Sequence, residues 1–326
     1  MNKRERLEAA IAGQAADRIP VALWRHFPGD DQSPDSLADA TIAFQRRWDF
    51  DFVKVTPASS FQINDWGVLD QWIGNIEGTR EYIRHPIGRS ADWRALRSLD
   101  PRSGSLGNQL RCLGLIAKAL PDTPVIQTIF SPLAQAKNLA GERLLTDMRE
   151  NAADFRAGLE IITQSTMAFV KEVVSSGAAG IFYAVQHATA ASLSRDEYMS
   201  FGREYDLRIL EVLKGTPAWL NVLHIHGDHI YFDLVADYPV QVWNWHDRET
   251  PPSLKVGLTQ IKGAACGGLS RDVVMLCGKP DAVRYEVADA IEQTGGRRYI
   301  VGTGCVMMIP TPEVNIRTAI ETAMPR

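Results

Sequence analysis

Two histidines separated by one residue, His224 and His226, are the strongest chemical signal in this sequence of 326 residues. They follow an apolar run typical of a buried strand, and residues two apart on a strand point to the same face. Two imidazoles on one face can bind the same metal ion, and Cys305 can add a thiolate. Three such ligands leave one position of a tetrahedral zinc site open, as in catalytic zinc sites. Without a metal, the same residues would be hydrogen-bonded histidines in a polar cavity and a small buried cysteine.

Further polar residues lie at or directly after other apolar runs. Arg25 has a guanidinium fork that can hold a carboxylate or phosphate by two parallel hydrogen bonds, or form an ion pair at the rim of the fold. Lys54 alternates with apolar neighbours, so we expect it to point inward, where a cation needs a partner such as Asp247 or a bound anion. Residues at such positions can also act as acids or bases, orient a reacting group or have only a structural role. The sequence predicts four substrate-binding residues, Arg25, His26, Lys54 and Gln186, and three catalytic residues, His187, Asn244 and His246.

Eight short apolar runs, each about as long as a buried parallel strand, alternate with amphipathic segments that are typical of helices. This alternation indicates either a closed parallel barrel or a doubly wound open sheet. Because the chain lacks the Gly-rich first turn of a dinucleotide-binding fold, we predict a single (β/α)8 TIM barrel of the α/β class. Six of the seven histidines then follow the carboxyl ends of strands, where barrel enzymes build their sites. The runs are Ile19–Trp24, Phe52–Thr56, Val125–Phe130, Gly180–Val185, Trp219–His224, Val240–Trp245, Ala264–Leu269 and Tyr299–Gly302.

One segment does not fit this repeat. Residues 61–107 are polar and rich in Trp, Gly and Arg, and they follow the second run. We interpret them as an insertion over the barrel mouth, because long βα loops commonly carry function. No linker-like stretch divides the chain, so the sequence predicts one domain over residues 1–326.

Composition excludes several classes of protein. The chain is 45% hydrophobic and 23% charged, with a net charge of -4, which is typical of a globular protein. It has no basic tract of the kind that nucleic-acid binding requires. Its four cysteines have no disulfide-type spacing, the first residues are charged, and no apolar run approaches the ~20 residues of a membrane span. We therefore expect a cytoplasmic protein that acts on a small molecule, without nucleic-acid or membrane partners.

The first apolar run resembles a signature of the uroporphyrinogen decarboxylase superfamily. Residues Arg18 to Arg25 are similar to the decarboxylase strand that begins with Pro and ends in Met-Arg-Gln-Ala-Gly-Arg, and Arg25 matches its first arginine. The second arginine is missing, because the chain continues His26-Phe27-Pro28-Gly29. The Asp that the decarboxylases carry after strand two also has no match in residues 54–60.

The second half is more similar to the corrinoid and coenzyme M methyltransferases of that superfamily. These carry His-x-Cys-Gly after strand five and Gly-Cys followed by Pro-Thr-Pro after strand eight, which together bind a zinc ion that activates a thiol. The matching stretches are Leu223 to Gly227 and Gly302 to Glu313. His226 stands where that branch has Cys. Histidine can also bind a metal, but its imidazole nitrogen is a harder ligand than a thiolate sulfur.

The sequence thus favours a zinc-dependent methyl transferase, with His224, His226 and Cys305 as ligands and an anionic small-molecule substrate. The methyl donor would be a corrinoid on a separate protein or a small methyl ether. One alternative is a metal-free decarboxylase that acts on uroporphyrinogen or a smaller carboxylated substrate. Another is a barrel that binds a corrinoid or tetrapyrrole without catalysis.

Overall fold

Seven parallel strands form the main sheet of the computed structural model, which describes residues 1–324. A separate hairpin of two antiparallel strands, β2 and β3, lies between β1 and β4 in the chain. The main sheet has the order β1-β4-β5-β6-β7-β8-β9, so consecutive parallel strands are neighbours, as in a barrel. The strands are β1 Val53–Val55, β2 Leu69–Gln71, β3 Glu81–Arg84, β4 Val125–Phe130, β5 Gly180–Val185, β6 Val222–Ile225, β7 Val242–Trp245, β8 Ala264–Leu269 and β9 Tyr299–Thr303.

Helices occupy the connections between the parallel strands. Every residue of β4, β5 and β8 is buried, because helices cover the outer face of the sheet and side chains fill its inside. Within residues 1–324, no helix is long and apolar enough to cross a membrane. The α-helices are α1 Lys3–Ile11, α2 Pro34–Trp48, α3 Gly104–Ala119, α4 Pro132–Ala140, α5 Arg143–Glu150, α6 Ala152–Ser175, α7 Arg195–Tyr198, α8 Glu204–Glu211, α9 Phe232–Val235, α10 Leu254–Gln260, α11 Pro280–Thr294 and α12 Glu313–Thr322.

The first predicted strand closes the sheet without forming a regular ladder. The amide of Ala22 donates to the carbonyl of Val301 at 2.9 Å, and Val301 donates back to Pro20 at 2.8 Å. On the other side, Asp51 donates to Val21 at 2.9 Å. Pro20 has no amide hydrogen, which limits ladder formation at this edge. The predicted TIM-barrel-like architecture is confirmed, with seven strands and one extended segment in place of eight regular strands.

The hairpin β2–β3 belongs to the predicted insertion and is anchored to the barrel by its polar side chains. The guanidinium of Arg80 donates to Asp31, which precedes α2, at 3.2 Å, and the hydroxyls of Tyr82 and Ser59 lie 2.8 Å apart. The amide of Ile309, which follows β9, donates to a carbonyl of the loop between β2 and β3 at 2.8 Å. This loop therefore lies over the carboxyl ends of the strands, where the site described next is found.

Candidate metal and substrate site

Four side chains from the ends of β6, β7 and β9 converge at the carboxyl ends of the strands. One ligand atom from each of His224, His226, His246 and Cys305 lies within 4.8 Å of the others. Nδ1 of His226 is 3.4 Å from Nε2 of His246 and 3.8 Å from Sγ of Cys305. In the parallel register His224 pairs with Asn244, so the residues two positions later, His226 and His246, also lie side by side.

Asn244 determines which nitrogen of His224 is available. The amide nitrogen of Asn244 donates to the carbonyls of Cys266 and Thr303 at 2.8 and 2.9 Å. Its oxygen must therefore accept the 2.7 Å hydrogen bond from Nδ1 of His224. This assigns the proton of His224 to Nδ1 and leaves Nε2 free as a ligand.

His246 has a similar supporting partner. Its Nδ1 lies 3.0 Å from Oε2 of Glu249, which leaves Nε2 directed at His226. A carboxylate bound to one nitrogen of a histidine raises the basicity of the other, a pattern found beside metal ligands and catalytic bases. Both roles are compatible with this geometry.

The electrostatics of the cluster favour a thiolate. Burial raises the pKa of the Cys305 thiol, but the adjacent imidazoles of His224, His226 and His246 lower it by more. The pKa of Cys305 is therefore well below its usual value. Burial lowers the pKa of His246, whereas its contacts with Cys305 and Glu249 raise it to about 9. Thiolate sulfur and imidazole nitrogen are the donors that zinc prefers, so the residues of this cluster fit a zinc ion.

A cavity of about 190 Å³ opens beside His224, His226 and Cys305. Its apolar wall includes Phe182, whose ring stacks on His224 with the centroids 5.3 Å apart, and Trp24. Its polar wall includes Thr56 and Gln186. The predicted substrate-binding residues His26, Lys54 and Gln186 all line this cavity.

Lys54 is buried in this cavity, and within residues 1–324 its one side-chain hydrogen bond is to the hydroxyl of Thr56 at 3.2 Å. Its ammonium lies 4.6 Å from the centroid of Phe182 and 5.9 Å from that of Trp24. Burial lowers the pKa of Lys54 to about 7. The sequence left open whether Lys54 meets Asp247, and in the structure the Asp247 carboxylate instead accepts from the amide of Gly268 at 3.0 and 3.2 Å.

His26 faces the same cavity in a neutral form. Burial and the charge of Lys54 lower the pKa of His26 to about 4, and its Nδ1 has no hydrogen-bond partner among the described residues. His187, which the sequence predicts as catalytic, does not line the cavity. Burial lowers the pKa of His187 to about 4 as well, so it is a neutral, buried imidazole.

Arg25 lies outside the cavity, between the first extended segment and α2. Its guanidinium lies 5.1 Å from the ring centroid of Phe27 and 5.3 Å from that of Phe44, and it donates to the carbonyl of Ile309 at 3.0 Å. Trp24 and His26 point into the cavity, so Arg25 points the opposite way because side chains alternate along extended backbone. The geometry does not support the predicted substrate contact of Arg25.

Two features of the site go beyond the sequence predictions. His246 was predicted as a catalytic residue, and the structure adds it to the group that could hold a metal. The spacing offered a signal, because Asn244-x-His246 repeats the interval of His224-x-His226 on the next strand. Glu77 and Thr79, from the loop of the hairpin, also line the cavity, and no motif in the sequence marks them.

Comparison with known proteins agrees with this architecture. A family model described as uroporphyrinogen decarboxylase (URO-D) matches residues 2–324. The methylcobamide:CoM methyltransferase of Methanosarcina mazei is 20% identical over 342 residues, which cover 98% of this chain and 97% of that protein. The uroporphyrinogen decarboxylase of Prochlorococcus marinus is 22% identical over 343 residues, which cover 96% and 94%. A solved structure of a methyltransferase from Methanosarcina mazei has a TM-score of 0.86 at 18% identity and covers 99% of this chain and 98% of that one, which confirms the fold.

Proposed function

The chain belongs to the uroporphyrinogen decarboxylase (URO-D) family, and we propose that it is a zinc-dependent enzyme that transfers a methyl group to a small thiol. The observation that carries this proposal is the cluster of His224, His226, His246 and Cys305 on the wall of a small cavity. The similarity to a methylcobamide:CoM methyltransferase over nearly the whole chain supports the same reaction class.

We assign the zinc ligands to His224, His226 and Cys305, because three ligands leave a coordination position for the acceptor thiol. When bound, zinc would lower the pKa of that thiol so that its thiolate is available at neutral pH. Part of the raised pKa of His246 comes from its contact with the Cys305 thiolate. With that thiolate engaged as a metal ligand, Nε2 of His246 would be able to accept the proton of the thiol, and Glu249 would stabilise the protonated ring through Nδ1.

The remaining cavity residues would bind and orient the acceptor. The ammonium of Lys54, which meets no carboxylate in the part of the chain that the structure describes, would hold an anionic group of the substrate. Asn244 would keep His224 in the ligand tautomer, while Gln186 and neutral His26 line the space around the reacting atoms. In the transfer itself, the sulfur of the acceptor forms a bond to the methyl carbon as the bond between that carbon and its donor breaks.

The methyl donor would reach the acceptor from outside the cavity. A volume of about 190 Å³ lies below the roughly 300–1,000 Å³ of pockets for drug-sized ligands. A corrinoid is much larger, so a corrinoid donor would have to remain at the barrel mouth on its own carrier protein. The same size argument, together with a single lysine on the cavity wall, disfavours a uroporphyrinogen with its many carboxylates as the substrate.

The proposal is tested by incubating the untagged protein with methylcobalamin and a small acidic thiol, and by measuring the methyl thioether by mass spectrometry. We expect product that disappears after metal removal and returns with added zinc. Release of CO2 from a carboxylated substrate by the metal-free protein, without thioether formation, would instead support the decarboxylase.

A further inference from the structure

Arg271 is a second largely buried cation close to the cavity. It follows β8 and begins a π-helical turn, Arg271–Leu276, and only 13% of its side chain is exposed. Its Nη1 lies 2.7 Å from Oε1 of Glu77. The carboxylate of Asp272 is a weaker neighbour, 3.6 Å away and half exposed. Because Glu77 itself lines the cavity, its carboxylate lies between the guanidinium of Arg271 and the cavity.

Glu77 reaches this position from the loop between β2 and β3. Gly78, next in the chain, has a φ of 85°, and a side chain there would come within 2.5 Å of Cβ of His26. The loop can therefore lie directly on His26 only because glycine occupies this position. In the described residues, Arg271 is the one hydrogen-bond partner of the Glu77 side chain.

We propose that Arg271 is an anion-binding subsite of the cavity, and that Glu77 occupies it as an internal anion until an acidic group of the substrate displaces it. The guanidinium fork of Arg271 can bind a carboxylate, a sulfonate or a phosphate, and it already binds the carboxylate of Glu77. This inference deepens the proposed function and relies on it for the view that the displacing anion belongs to the substrate. Lys54 and Arg271 would then offer two cations to a compact acidic molecule.

Displacement of Glu77 would also change how firmly the loop between β2 and β3 is held over the site. While Glu77 is bound to Arg271, the loop is held at the cavity by this ion pair and by the hydrogen bond from the amide of Ile309 to the carbonyl of Ile76. An acidic substrate that takes the place of Glu77 removes one of these attachments, while the contact of Arg80 with Asp31 at the other end of the loop remains. The loop would then be looser with the anion bound than without it.

The test compares Glu77→Gln with the parent, both metal-free, for binding of ethanesulfonate and of its neutral analogue ethanesulfonamide by ligand-observed NMR. Removing the internal competitor should tighten ethanesulfonate binding by about tenfold and leave ethanesulfonamide unchanged. Asp272→Asn is the matched control, because it also removes a negative charge beside Arg271, but from a carboxylate that is half exposed, 3.6 Å away and outside the cavity wall, so ethanesulfonate binding should change much less than in Glu77→Gln. Adding Arg271→Gln to Glu77→Gln should abolish the gain.

Unchanged ethanesulfonate affinity in Glu77→Gln, or an equal gain in Asp272→Asn, would overturn the proposal. A second measurement needs no variant: hydrogen exchange of the parent should speed up in residues 75–79 with ethanesulfonate and not with ethanesulfonamide. Exchange that stays the same or slows at saturating ethanesulfonate would contradict displacement. Because both measurements use metal-free protein, they can succeed or fail independently of zinc binding and methyl transfer.

Discussion

Asn244 is held by the backbone carbonyls of two neighbouring strands, β8 and β9, and it fixes the tautomer of His224. Its replacement by alanine would remove the hydrogen bond that fixes Nδ1–H and would leave the carbonyls of Cys266 and Thr303 without their donor. We expect Asn244→Ala to weaken zinc binding by about 10- to 100-fold, the usual effect of losing such a supporting contact. Competition of the purified variant against a zinc-binding dye measures this change.

A matched control separates this effect from a general loss of stability. Asn221 is equally buried at the opposite end of the barrel, where it bonds to Gln241 and to the amide of Ile181. Asn221→Ala and Asn244→Ala should each lower the free energy of unfolding by about 1–3 kcal/mol, because each leaves buried groups unpaired. Only Asn244→Ala should change zinc affinity, and equal zinc affinity in the two variants would refute the supporting role.

Lys54 gives a prediction about pH. Its pKa of about 7 in the folded protein lies below the ordinary 10.5, so between these values the unfolded chain binds more protons. Stability of the parent relative to Lys54→Met should therefore be lowest below pH 7 and should rise toward pH 10, by at most about 1.4 kcal/mol per pH unit. Urea unfolding at pH 6, 8 and 9.5 checks the slope, and Lys171→Met serves as the control because Lys171 is exposed.

A flat difference between the parent and Lys54→Met across this pH range would mean that Lys54 is well solvated or paired. In that case it would not be available to hold the substrate anion.

At the residue scale, site residues could be predicted from the sequence where side chains alternate between the two faces of a strand. The pair His224 and His226 could be recognised because residues two apart on a strand share a face. The position of Arg25 could not, because the same rule places either Arg25 or His26 inside, and the choice depends on how the segment packs. The ring of Phe44 on α2 and that of Phe27, in the loop before α2, decide it, since they offer Arg25 a place outside the cavity.

At the scale of elements, Arg25 joins the extended first segment to α2 and to the turn after β9. We expect Arg25→Lys to lower the free energy of unfolding by about 1 kcal/mol, because lysine keeps the charge but loses the planar contact with the rings and the geometry of the hydrogen bond to Ile309. Affinity for small anions should stay the same. Arg46→Lys, on an exposed position of α2, is the control for urea unfolding.

If Arg25→Lys instead leaves stability unchanged and weakens anion binding, the guanidinium contacts the substrate after all. The original expectation from the sequence would then hold.

Several elements could be predicted closely from their composition. The boundaries of β4, β5 and β8 agree with the predicted apolar runs, since strands buried on both faces are apolar throughout. The amphipathic segment of residues 142–176, which is long enough for one helix or two, forms two, α5 and α6, divided near Asn151. The hairpin β2–β3 was not predicted as strands, because its exposed and polar residues lack the pattern of a buried strand.

At the scale of the whole molecule, the alternation of strands and helices was enough to predict the barrel. The barrel in turn predicted that the site residues would lie at the carboxyl ends of its strands. Its topology places the ends of β6, β7 and β9 around one point, which brings together residues up to 81 positions apart in the chain, from His224 to Cys305. The distances among the four side chains, and the loop that carries Glu77 to the cavity, depend on packing that no local pattern encodes.

The most direct test of the central claim is the zinc content of untagged protein by elemental mass spectrometry, compared among the parent, Cys305→Ser and Cys266→Ser. Cys266 is the matched control, because it is also a buried cysteine on a barrel strand but lies outside the cluster. We expect about one zinc per chain in the parent and in Cys266→Ser, and a loss of most of the metal in Cys305→Ser. A folded parent that takes up no zinc, or equal zinc content in the two variants, would contradict the central claim.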